Sequence, residues 1–216
     1  MNILKNNIPL LKRPYRSCVG LMVFNKYGDV FCGQRLDNKA EAWQLPQGGI
    51  DNGELPVEAG FRELKEETSI INVEFVSEYP EWLNYDIPLP LADNLWEGKY
   101  RGQTQRWLLF YFMGDDKEID IKTNNPEFKN WIWLNPELLP EKAISFKKDV
   151  YSKINKIWND PKYKSILGHI LLAPDWTLSV QNQFWKGVGI RNKDYRAFYN
   201  DDPLLDPIQR KTYRRY

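Results

Sequence analysis

Glu63, Glu66 and Glu67 stand three and four positions apart in Arg62-Glu63-Leu64-Lys65-Glu66-Glu67, a run of strong helix formers. On an α-helix that spacing gathers three carboxylates on one side. Like charges so placed destabilise an isolated helix, so something must neutralise them. A hard divalent cation answers that need, because magnesium takes carboxylate oxygens, keeps several waters and bridges to substrate phosphates. On its own, such an acidic run is a solvated helix face. Its surroundings give it chemistry.

Gly48-Gly49 and Asn52-Gly53 permit tight turns and leave backbone carbonyls bare near a cation. Pro56 suits the first turn of a helix, where its missing N–H does no harm. Leu55, Ala59 and Leu64 offer apolar packing against a sheet. Arg62 can pair with Glu58 and Glu66 at helical spacing, or with Glu54 in the loop, and so orient the ligands. Together Gly48, Glu54, Arg62-Glu63-Leu64, Glu66-Glu67 and Ile70 resemble the Nudix box: Gly, five residues, Glu, seven residues, Arg-Glu-aliphatic-x-Glu-Glu-x-Gly-aliphatic. The sequence departs once, with Ser69 where the family usually has Gly after the helix. A left-handed backbone is often needed there. Serine costs strain but removes no ligand, so activity is expected to survive.

The elements that must position this box read as follows. Residues 17–25 and 29–36 look like two strands of a hairpin around Lys26-Tyr27-Gly28. Trp43-Gln44-Leu45-Pro46 is a short strand entering the box loop, and the box helix spans 55–68. Residues 72–79 alternate as a strand, and 86–102, rich in Pro, Asn and Gly, form a long functional loop. Strands follow at 104–114, 118–122 and 129–134, then a helix over 146–158 with apolar positions 146, 150, 154 and 157. A mixed sheet with helices on its faces is an α+β fold.

Composition bounds the rest. The chain has 216 residues with 30 basic and 29 acidic side chains, net charge +1, so any nucleic-acid surface must be local. Two cysteines, Cys18 and Cys32, and one histidine, His169, exclude a Cys/His zinc site and suggest a reduced compartment, the cytoplasm or an organelle matrix. The lone His169, in a helical pattern, argues against histidine-based nucleophilic catalysis. No apolar run reaches membrane-spanning length, and the N-terminal residues lack a signal-peptide core. Aromatic residues are abundant, and Arg106-Trp107 and Phe146-Lys147 place a ring beside a cation where a nucleobase could stack.

The resemblance runs beyond the box. Tyr15-Arg16, Trp43 to Gly49, Trp82-Leu83-x-Tyr85, Leu95-Trp96-Glu97-Gly98, Arg101-Gly102-Gln103-x-Gln105-Arg106-Trp107, Pro126-Glu127-Phe128 and Ser145-Phe146-Lys147 resemble one branch of Nudix hydrolases. That branch holds bacterial RNA pyrophosphohydrolases and dinucleoside polyphosphate hydrolases. It covers residues 14–158 as a Nudix domain and implies an α/β/α sandwich around a mixed sheet, leaving 159–216 as a C-terminal extension. The extension reads as a docking or oligomerisation segment, or as a nucleic-acid contact through Arg210, Lys211, Arg214 and Arg215.

The resemblance further implies two to three Mg²⁺ or Mn²⁺ ions held by Glu63, Glu66, Glu67 and Glu127 with the Gly48 carbonyl. Glu127 and Glu66 compete as the base, with Arg62 orienting. Arg16, Arg35 and Lys147 would meet phosphates or first nucleotides, and Gln47 would lie near phosphate. Tyr85 would line a nucleoside pocket; Gln105 and Trp107 face either the site or the core; Phe146 stacks on a base or packs in the core. The implied reaction removes pyrophosphate from 5′-triphosphate or diphosphate RNA to leave a 5′ monophosphate. The alternative substrate is a dinucleoside polyphosphate such as diadenosine tetraphosphate. A third reading, a non-catalytic RNA-binding or assembly subunit, is opposed by the intact glutamates.

Overall fold

A computed structural model describes residues 8–37 and 42–159, with side chains placed through residue 156. His169, Arg210, Lys211, Arg214, Arg215 and the reading of 160–216 as an extension lie outside the described residues.

Strand β1 (Tyr15–Phe24) is the spine. It runs parallel to β7 (Gly102–Phe112) from Tyr15↔Gly102 to Phe24↔Tyr111, and antiparallel to the short β4 (Gln47–Gly49). On the other side β2 (Val30–Arg35) pairs antiparallel with β8 (Phe128–Leu134) and with β3 (Trp43–Gln44). Strands β5 (Val73–Glu78) and β6 (Leu83–Asp86) pair antiparallel with β7, completing a mixed sheet ordered β3-β2-β1-β7-β5.

Side-chain alternation along β1 and β7 builds a core on each face. Val19, Leu21, Val23, Leu108 and Phe110 pack with Leu55, Ala59 and Leu64 of helix α1 (Pro56–Thr68) and its entry. Met22, Phe24, Trp107 and Leu109 pack with Val150, Tyr151 and Ile154 of the last helix (Lys148–Asn159). The result is the α/β/α sandwich, with the box helix on one side. Leu64 is wholly buried, so truncating it to Ala costs about 2–5 kcal/mol.

Helix α1 begins at Pro56, and Glu58 Oε2 accepts the Leu55 N–H at 3.0 Å. It stops at Ser69, whose φ of 60° and ψ of 3° are left-handed, at the position where the family pattern has Gly.

Four expectations need correction. The 17–25/29–36 hairpin pairs only at its tip, Phe24↔Val30, because β1 is taken up by β7 and β4 while β2 turns to β8. Residues 118–122 are not a strand: Asp115 and Glu118 cap a 3₁₀ turn (Asp116–Glu118), and Asp120 N–H then bonds the Thr68 carbonyl. The 86–102 loop contains a short helix, α2 (Leu89–Ala92), and a 3₁₀ turn (Leu95–Gly98). It follows β6, which the sequence reading passed over. The last helix starts at Lys148, since Ser145–Lys147 form a 3₁₀ turn ahead of it.

Candidate active site

The box loop and α1 place the carboxylates. Glu63 lies so close to Gly48 that a Cβ there would fall 1.8 Å from its carboxyl carbon, so only glycine leaves room. Burial raises the Glu63 carboxyl above the usual range, and Arg62 pulls it back. Glu67 is 3% exposed. Its Oε2 accepts the Gln47 N–H at 3.2 Å, and its Oε1 has no partner among the described residues. Burial first, then the charges of Glu127 and Glu63, push the Glu67 carboxyl far up. A buried acid with an orphaned oxygen beside two more carboxylates is a donor set that fits a divalent cation.

Arg62 ties the box together. It forks onto Glu54 (Nε to Oε1 2.8 Å, Nη2 to Oε2 2.7 Å), reaches Glu63 Oε1 at 2.7 Å and the Gly49 carbonyl at 2.8 Å. Glu66 is a looser contact at 3.4 Å. The expected partner Glu58 is not among them, because it caps the helix start. Glu66 itself points to solvent, its side chain 59% exposed. Among the described residues no three His, Cys, Asp or Glu side chains close on one point. Arg62 draws Glu63 to itself, and Arg35 does the same to Glu127.

A pocket of about 460 Å³ opens beside Gly48 and Glu63. Arg16, Arg35, Gln47, Tyr85, Glu127, Phe146 and Lys147 all line it. Arg35 forks onto Asp37 (both contacts 2.7 Å) and holds Glu127 Oε2 at 2.7 Å. Lys147 is buried and donates to Gln44 Oε1 at 2.9 Å and Gln47 Oε1 at 2.8 Å. Burial and the nearby Arg35 charge pull its ammonium down to about 7. Phe146 stacks on Tyr85 at 5.7 Å, so it is both pocket wall and packing. Gln105 faces the site side of β7 from beneath, donating to Gln103 Oε1 at 2.9 Å and Gln47 Oε1 at 3.1 Å, while Trp107 is core.

Residues that the sequence gave no individual role also join this group: the polar Asp37, Gln44 and Gln103, the indole of Trp96, and an apolar wall of Ile87, Leu91, Leu95 and Ile144. Gln103 Oε1 accepts from Tyr85 Oη at 2.8 Å and is the hub of the glutamine network. Its signal was available, since it sits two positions from Gln105 on the same strand face. Asp37 lies two positions past Arg35, but nothing in the sequence shows the chain turning back there. Trp96 is delivered by an irregular turn and leaves no periodic trace.

Residues 14–154 match the NUDIX domain. The chain belongs to the Nudix family. Among curated relatives, an "RNA pyrophosphohydrolase" of Cereibacter sphaeroides is 46% identical over 153 residues, covering 70% of this chain and 94% of the relative. One of Pelagibacter ubique is 46% identical over 150 residues, covering 68% and 95%. Among solved structures, the E. coli dihydroneopterin triphosphate pyrophosphohydrolase superposes with a TM-score of 0.50 at 19% identity, covering 66% of this chain and 99% of that one. That likeness shows the shared Nudix fold. Nudix hydrolases generally need divalent metals. No helix among the described residues is long and apolar enough to cross a membrane.

Proposed function

We propose that this Nudix protein is an RNA 5′ pyrophosphohydrolase that converts a 5′-triphosphate or diphosphate end to a monophosphate. The observation that carries this reading is one pocket in which Arg16, Arg35 and Lys147 stand with Phe146 and Tyr85, opening beside Glu63 and Glu127. Cations suit the phosphate chain and the rings suit the first bases. The names of the curated relatives point the same way.

In this reading water attacks a phosphorus, a new P–O bond forms, the phosphoanhydride bond breaks and, from a triphosphate end, pyrophosphate leaves. Magnesium or manganese, two or three ions on Glu63, Glu66, Glu67, Glu127 and the Gly48 carbonyl, would neutralise the phosphates and make water more acidic. Arg62 holds Glu63 and the Gly49 carbonyl in place. Of the two carboxylates that compete to take the water's proton, Glu127 lines the pocket and Glu66 faces solvent, so we assign Glu127. Tyr85 and Phe146 orient the nucleotide. Free, buried Cys18 and Cys32 are consistent with a reduced compartment, and we place the protein in the cytoplasm.

The competing substrate is a dinucleoside polyphosphate, favoured by the apolar pocket wall of Ile87, Leu91, Leu95 and Trp96, which could seat a second base. Side-by-side kinetics on a short 5′-triphosphate RNA and on diadenosine tetraphosphate, with magnesium or manganese and Glu67→Gln as the blank, decide between them. A much higher specificity constant on RNA supports the proposal, and the reverse preference overturns it. Arg35→Ala sharpens the result: it should weaken RNA more than the dinucleotide.

A further inference from the structure

Three consecutive residues of the Leu95–Gly98 turn are left-handed: Trp96 (φ 48°, ψ 37°), Glu97 (φ 59°, ψ 25°) and Gly98 (φ 71°). Only Gly98 adopts that backbone without cost. For a residue as bulky as tryptophan it is an outlier, and such strain persists only where the surroundings hold it. The surroundings do so here. Tyr100 meets the indole edge-on at 6.0 Å, Leu95 and Trp96 pack against the core, and Lys99 N–H bonds the Trp96 carbonyl at 3.1 Å.

What the strained turn delivers is the indole face. The Arg16 guanidinium lies 5.3 Å from its centroid. Arg16 differs from the other cations of the pocket. Arg35 is engaged by Asp37 and Glu127, and Lys147 donates to two glutamines. Arg16 has no carboxylate partner among the described residues. Its other contact is a 3.5 Å approach to Cys18 Sγ, a weak acceptor. Yet its Nη2 occupies a definite place, 2.1 Å from where a Gly49 Cβ would be, on the residue next to Gly48 and its Glu63 carboxylate. A long side chain with no ionic tether needs something to keep it there. An aromatic face attracts a guanidinium without neutralising it, leaving its N–H donors for an incoming anion.

We propose that Trp96 is a positioning residue: its indole holds the Arg16 guanidinium over Gly49, beside Glu63, where the phosphate chain of the substrate passes. This rests on the reading of the pocket as a phosphate and nucleotide site. The strained turn is then the device that aims the indole, and Trp96 acts through Arg16 rather than on substrate.

The test is a double-mutant cycle on the full-length protein with magnesium and a short 5′-triphosphate RNA, measuring kcat and KM together with the melting temperature of each variant. Trp96→Leu keeps apolar bulk and removes the aromatic face. It should lower kcat/KM by about 3- to 30-fold, chiefly through KM. Trp96→Phe, which restores a ring, should recover most of that loss. In an Arg16→Ala background Trp96→Leu should add less than about twofold, because the group it positions is gone. If Trp96→Leu loses its cooperative melt, Trp96→Met fills the same gap and replaces it. An equal loss with and without Arg16 overturns the proposal, since the indole would then act by itself, for instance by stacking on a base. No loss on Trp96→Leu, with a clear loss on Arg16→Ala, also overturns it and leaves the proposed function standing. No loss on Arg16→Ala refutes the phosphate reading of Arg16, and the proposal falls with it.

Discussion

Two arginines meet at Gly49. Arg62 donates to its carbonyl and is tied to Glu54 and Glu63 besides, each within 2.8 Å. Arg16 occupies the space that a side chain on Gly49 would fill, and its neighbours are a sulfur and an indole. The first belongs to the box loop and α1, where its guanidinium is matched by the carboxylates of Glu54 and Glu63. The second belongs to the wall made with residues 83–100, where a cation is left open to solvent and substrate. The difference teaches that the two halves of the pocket do different work. One is assembled ahead of time around carboxylates, and the other holds, in Arg16, a cation with no carboxylate partner among the described residues.

Removing a carboxylate from the assembled half should have the largest effect. Glu67→Gln keeps the shape and the Gln47 N–H contact but not the charge, and should lower kcat at least about 100-fold. The same change should make the metal-free protein more stable at neutral pH. Because burial and two like charges raise the Glu67 carboxyl above its ordinary value of 4.5, the native state holds that proton more tightly than the unfolded chain does. The stability this confers is full below about 4.5 and is lost as pH climbs through the folded value. In EDTA the wild-type melting temperature should therefore fall between pH 5 and 8 more than that of Glu67→Gln, and magnesium should restore it. Wild-type turnover in the variant would break the comparison at its root.

Arg62→Lys comes next. Lysine carries the charge but cannot fork onto Glu54 while reaching Glu63 and the Gly49 carbonyl. Loss of such an orienting group costs about 10- to 100-fold in activity or metal affinity. A variant within twofold of wild type would show that the arginine only balances charge, and the box half would then be less preorganised than its geometry suggests.

How much of this was legible in the sequence follows the same division. The Arg62–Glu54 pair and the left-handed Ser69 are readable from the box pattern, and spacing gives the helix that carries Glu63, Glu66 and Glu67 but not that Glu66 turns to solvent. Glu58 misled for the same reason: it stands at helical spacing from Arg62, but helix starts have unpaired N–H groups, and one of them claimed it. Most strands were placed, apart from 118–122 and the missed β6, but not their partners. Alternation shows that β1 is a strand with two faces, whereas its parallel pairing with β7, more than eighty residues away, depends on contacts no local pattern records. Residues 118–122 alternate like a strand and are held instead by a 3₁₀ cap and a bond to Thr68. Asp37 left no trace and Trp96 entered only within a motif of the resemblance, because each reaches the site through a turn whose direction is set by its surroundings.

The open half gives a smaller, pH-dependent prediction. Lys147 is pulled down to about 7 by burial and by Arg35. Its charged form exists below that value and is lost as pH rises through it, so kcat/KM on triphosphate RNA should decline above about pH 7. Once an anionic substrate is bound it favours the charged form, so the corresponding limb in kcat should lie at higher pH. Lys147→Gln should start about tenfold lower at pH 6 and show no such limb. A decline that persists unchanged in Lys147→Gln would assign the limb to another group.

The smallest effect separates strain that is tolerated from strain that is used. Ser69 and Glu97 are both left-handed non-glycine residues, one closing α1 and one inside the turn that carries Trp96. A left-handed backbone costs a residue with a Cβ roughly 1–2 kcal/mol, and glycine gives back roughly 0.5–1 of that in chain entropy. Ser69→Gly should therefore stabilise the protein by about 0.5–1 kcal/mol, a rise in melting temperature of about 1–4 °C, with kinetics unchanged. Glu97→Gly should also raise the melting temperature. It places two glycines side by side behind Trp96, however, and loosens the aim of the indole, so KM on triphosphate RNA should rise about two- to threefold. If Glu97→Gly left KM untouched while Ser69→Gly behaved as expected, the left-handed turn would be no more than a tolerated kink. The contrast between a half that is built and a half that is aimed would then rest on Arg16 alone.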